Sequence, residues 1–66
     1  MPSLDQQIEL ARRHVTEGRR IVAAQRARIA SGQTDGEDAH RLLLSFEQSL
    51  EIFEQDLARL LLHRGK

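Results

Sequence analysis

Cysteine, tryptophan and tyrosine are absent from this 66-residue chain, and proline occurs once, at Pro2. Without cysteine there is no disulfide to staple a small fold, no thiol nucleophile and no thiolate metal site. A reducing compartment suits such a chain, and the expected location is the cytoplasm. Charge of one sign is also lacking. Ten basic residues balance ten acidic ones, so the chain as a whole has no field that would draw nucleic acid or a membrane surface. Long apolar runs are missing too: none approaches the roughly 20 residues needed to cross a bilayer, and none has the form of a signal peptide. A chain this short buries too little surface to hold a fold comfortably by itself. With no staple available, a partner is expected to complete the core.

Glycine is scarce as well, and its placement divides the chain. The cluster Ser31-Gly32-Gln33-Thr34-Asp35-Gly36 is the one internal break before Gly65. Ser3-Leu4-Asp5-Gln6 fits a capping box, in which Ser3 and Gln6 satisfy each other's backbone amides. The first helix is therefore expected over about 4–31, closed by Gly32 in the left-handed conformation. Thr34-Asp35-Gly36-Glu37 repeats the capping pattern with Asp35, Glu37 and Asp38 at the positive end of the dipole. That predicts a loop over about 32–34 and a second helix over about 35–63. The short connection makes the helices antiparallel neighbours. The expected fold is all-α: a single domain over 1–66, an antiparallel, coiled-coil-like two-helix hairpin.

Periodicity is the strongest feature present. Leu4, Ile8, Ala11, Val15, Gly18, Val22, Gln25 and Ile29 alternate spacings of four and three, a heptad seam. Ala39, Leu43, Phe46, Leu50, Phe53, Leu57 and Leu60 continue the alternation in the second segment, and Leu42 and Leu61 widen it. The first seam is small where the second is bulky. Aligned about the loop, Phe53 is expected against Val15 and Gly18, and Phe46 against Val22 and Gln25. The same alignment predicts Arg12 near Glu54, Arg19 near Glu47 and His14 near Asp56. One seam cannot dry so wide a stripe, so two hairpins are expected to dimerise into a four-helix bundle. Val15, Val22, Phe46, Leu50, Phe53 and Leu57 are the expected interface residues, with a helical protein partner as the rival occupant. Leu44, Ile52 and Leu62 form a weaker patch off the main face.

Chemistry has little to stand on. Glu37 and His40 have the Glu-x-x-His spacing of carboxylate di-metal sites, but the residues level with them are near Arg28 and Ser31, which supply no further carboxylate. His14 and Glu17 straddle the seam residue Val15. Ser31, Ser45 and Ser49 have no histidine–acid arrangement, and no glycine-rich loop follows a strand. No enzyme activity, metal or cofactor is expected. The arginines offer the alternative from another class. Arg12, Arg13, Arg19, Arg20 and Arg26 recur at heptad spacing along the first helix, a candidate nucleic-acid face for a small dimeric regulator. The simpler account of the same residues is a solvated face opposite acids. Residues 1–31 carry six arginines against Asp5, Glu9 and Glu17, whereas residues 32–66 carry seven acids against Arg41, Arg59, Arg64 and Lys66.

The string His14-Val15-Thr16-Glu17-Gly18-Arg19-Arg20-Ile21-Val22-Ala23-Ala24-Gln25-Arg26 resembles the H-x-x-x-G-x-R-x-[IV]-x-x-Q-R pattern of short uncharacterised helical proteins of alphaproteobacteria. Ala39-His40-Arg41-Leu42-Leu43-Leu44-Ser45-Phe46-Glu47-Gln48-Ser49-Leu50 is similar to the same group's A-x-x-L-L-x-x-F-E-x-[ST]-L stretch. The resemblance implies a small bacterial helical protein and carries no activity with it. It implies structural roles for Gly18 and Gln25.

Overall fold

The computed structural model describes residues 2–34 and 36–65, which form two helices, α1 (Leu4–Ala30) and α2 (Glu37–Arg64), packed against each other. Their 27 and 28 residues rise about 40 Å at 1.5 Å per residue. The hairpin is accordingly a rod of 46 × 19 × 14 Å. Among the described residues there is no strand.

Local chemistry sets the start and stop of α1. The Ser3 backbone amide donates to Gln6 Oε1 at 2.9 Å, and the Gln6 amide donates to Ser3 Oγ at 3.1 Å. The expected capping box is formed, and two of the donors orphaned at a helix start are satisfied. At the other end Gly32 takes φ +78, a backbone conformation that glycine adopts without steric cost. Its amide donates to the Ile29 oxygen at 3.2 Å while that of Gln33 donates to the Arg28 oxygen at 3.0 Å. These crossed bonds are a Schellman closure, with Ser31 as C-cap.

The start of α2 differs from expectation. Gly36, at φ +94, is the N-cap and offers no side chain for capping, and the first helical residue is Glu37. The Thr34 amide donates to the Arg28 oxygen at 3.4 Å, which holds Thr34 to the closing turn of α1 and away from the N-cap position. Helix 2 therefore begins later than the predicted residue 35. Asp35 itself lies outside the described residues. Glu37 and Asp38 still occupy the acidic first turn, where the helix dipole favours negative charge.

Burial is unequal between the two seams. Ile8, Ala11, Val15, Val22 and Gln25 of α1 are all buried, between 2% and 8% exposed, whereas Ala39 is the one buried residue among those described in α2. Leu43, Phe46, Leu50, Phe53, Leu57 and Leu60 are half-buried. A large side chain lying over a small one covers it completely and keeps its own far side wet. Val15 and Val22, expected at a partner interface, are thus covered by α2 within the hairpin itself.

Candidate functional site

Two long sides of the rod remain once the seam is closed, and they differ in chemistry. On one side Arg19 Nη2 bonds Glu54 Oε2 at 3.2 Å and Arg26 Nη2 bonds Glu47 Oε2 at 2.5 Å. Between them Val22, Ala23, Leu50 and Glu51 floor a shallow depression open to solvent. On the other side the rings of His14 and Phe53 meet at 5.1 Å between centroids with a 42° tilt, within the range of favourable aromatic pairs.

These contacts correct the predicted pairings. Arg19 meets Glu54, not Glu47, and Glu47 takes Arg26, so each arginine reaches one heptad further than expected. Arg12 makes neither bond. His14 packs on Phe53 instead of pairing with Asp56, whose carboxylate bonds Arg59 one turn along its own helix. At the seam Gly18 lies against Leu50 and not against the Phe53 expected for it, although the two residues stand at the predicted level of the rod. The physical cause is the lean of helical side chains toward their own N-terminus. In an antiparallel pair the two leans converge, so long side chains meet when their Cα atoms are offset along the rod. Short seam residues meet almost level.

Helical spacing assigns further residues to the His14 side. Leu10, His14, Glu17, Ile21 and Arg28 share a row on α1, and Leu42, Ser45, Ser49, Ile52 and Asp56 share one on α2. Leu10 is 51% exposed, Ile21 43%, Leu42 46% and Ile52 61%. With half-buried Phe46 and Phe53 beside them, they make the open face of the hairpin. The sequence reading missed Leu10 and Ile21, which fall outside the seam periodicity, and grouped Ile52 with Leu44 and Leu62. Spacing separates these: Leu44 and Leu62 lie on the back of α2, toward the glutamate side. Of the expected interface set, Phe46 and Phe53 border the open face. Leu50 borders the ion-paired side instead, and Leu57 follows one heptad along on the same row.

The five arginines proposed for nucleic acid fall on two rows of α1. Arg12, Arg19 and Arg26 share a row on the ion-paired side, and two of these three are bonded to glutamate. Arg13 and Arg20 lie on a separate row at the back of α1. Glu37 is ion-paired with Arg41 at 3.8 Å, and no group of three potential metal ligands occurs among the described residues. No described helix is long and apolar enough to cross a membrane.

The class defined by these features is an all-α helical hairpin with one ion-paired side and one apolar side. Neither a protein-family model, nor a curated protein, nor a solved structure matches the chain.

Proposed function

We propose that this chain is a helix–helix interaction protein, working through self-association and through a helical partner docked on the same face. One observation carries the reading. The hairpin dries the α1 seam almost completely yet leaves Leu10, Ile21, Leu42 and Ile52 between 43% and 61% exposed on one side. Exposed apolar residues gathered on one face mark association sites, whereas scattered ones do not. The resemblance to small helical proteins of alphaproteobacteria, and a cytoplasmic setting, belong to the same proposal. A nucleic-acid regulator draws less support, since two of its five arginines are already bonded to glutamate and the rest point to two different sides.

Sedimentation equilibrium over a wide concentration range, with circular dichroism on the same samples, tests the proposal. A species of twice the chain mass or more, reduced to monomer by Leu42→Glu with Ile52→Glu, is the expected result. Both positions are exposed, so the paired change leaves the seam intact. A helical monomer at all concentrations, with no partner captured by wild type and lost by the variant, overturns it. Salt-dependent binding to RNA or DNA, weakened by Arg13→Ala and Arg20→Ala, would move the function to the other class.

A further inference from the structure

Resting on that self-association, we infer that the open face takes a second copy of the hairpin laid across both helices, and not a single helix lodged in the groove between them. The two occupants cover different side chains, and exposed apolar residues stand where only the broader occupant reaches.

The open side of each helix divides into an inner and an outer line. Viewed down α1, at about 100° per residue, Val15 and Gly18 flank the direction of α2. The inner line of His14, Ile21 and Arg28 turns about 80–90° from that direction, and the outer line of Leu10, Glu17 and Ala24 about 130°. On α2 the inner line holds Leu42, Ser49 and Asp56, and the outer one Asp38, Ser45, Ile52 and Arg59. A third helix in the groove completes a triangle, about 60° from the direction joining α1 and α2, so it covers Phe46, Phe53 and the inner lines and leaves the outer ones in water. A second hairpin completes a square, with one of its helices about 90° round and over each of α1 and α2. Those helices reach the outer lines. Leu10 and Ile52, 51% and 61% exposed, stand there, one on each helix. A single helix dries neither, and a second hairpin covers both.

Size and charge fit a copy of the chain itself. The rod presents a side of 46 × 19 Å, enough for the roughly 800 Å² per partner that a standard interface buries. A lone helix about 10 Å wide spans only half of that width. A second copy has the same length and width, and it brings its own half-buried Phe46 and Phe53 to be covered. On the two lines Glu17, Asp38 and Asp56 stand against Arg28 and Arg59, with His14 and His63 among them, and Asp56 is bonded to Arg59 within its own helix. Neither sign dominates, so no net charge on the face repels a copy. The ion-paired side is left outward. Joining two copies in this way uses both open faces, and association therefore stops at two chains.

Sedimentation equilibrium of single variants of the full-length protein tests the arrangement, with circular dichroism on the same samples as a check on folding. Leu10→Glu and Ile52→Glu alter the outer lines, Ile21→Glu an inner one, and Leu44→Glu the back of α2, outside the inferred contact. All four positions are exposed, so the hairpin's own seam stays intact. Wild type should form a species of twice the chain mass that grows no further as concentration rises. Leu10→Glu, Ile52→Glu and Ile21→Glu should each weaken it at least tenfold, while Leu44→Glu leaves it unchanged. Pairing lost in Ile21→Glu but kept at wild-type strength in Leu10→Glu and Ile52→Glu would overturn the inference and leave self-association standing, because only the inner lines would then be covered. Weakening by Leu44→Glu instead would move the contact to the back of α2, and growth beyond two chains would show the pair to be unclosed; either result also overturns it. A helical monomer at every concentration would remove both this arrangement and the self-association on which it rests.

Discussion

Gly18 sits against Leu50 so closely that a Cβ built on it would stand 3.0 Å from Leu50 Cδ1, 3.6 Å from its Cβ and 3.8 Å from its Cα. The closest atom is the tip of a flexible, half-buried side chain, and the others are at ordinary contact distance. Replacing glycine inside a helix by alanine gains about 1 kcal/mol of propensity. A small displacement of Leu50 offsets part of that gain. Gly18→Ala should therefore raise the urea midpoint slightly, whereas Gly18→Leu should lower stability by about 1–3 kcal/mol, since no space exists for a branched side chain between the helices. Denaturation at one fixed protein concentration reads both effects without interference from association.

Gln25 is the one polar residue buried in the seam, and its Nε2 donates to the main-chain oxygen of Ala39 at 3.2 Å. The bond crosses from α1 to the first turns of α2, beside the loop. Gln25→Ala removes it and leaves a gap, so stability should fall by about 1–3 kcal/mol. Amide hydrogen exchange should quicken first in the turns following Ala39. Uniform acceleration along both helices would show that the bond does not anchor that end.

The ion pairs report the register directly. A double-mutant cycle between Arg19 and Glu54 should give a coupling of about 0.2–1 kcal/mol that shrinks with added salt, since both groups are exposed. The cycle between Arg26 and Glu47 should behave alike. Arg12 with Glu54, and Arg19 with Glu47, should show no coupling. The reverse pattern would shift the helices by a heptad relative to the contacts seen here.

Ser3→Ala should destabilise the hairpin by about 1 kcal/mol through the loss of its bond to the Gln6 amide. Ser3→Asp should restore most of that stability, because a carboxylate accepts the same bond and suits the helix dipole. Thermal unfolding of the three forms side by side makes the comparison. Thr34→Ala, by contrast, should have little effect, since Thr34 does not cap α2.

The sequence alone determined the two helices, their seam and the way the first one starts and stops. These rest on short-range physics: a heptad repeat, a serine three residues before a glutamine, and a glycine placed where a left-handed residue is needed. The apolar level of the hairpin was legible for the same reason, because small seam side chains meet nearly where their backbones do. Tertiary structure decided the rest. It set Arg19 on Glu54 and Arg26 on Glu47, because long side chains lean toward their own N-termini and only the packed, antiparallel pair converts those leans into contacts. It held Thr34 to the end of α1 and so delayed the start of α2. It buried Val15 and Val22 and left Leu10, Ile21, Leu42 and Ile52 open. Periodicity shows which residues share a row, but which row is covered depends on the bulk lying across from it.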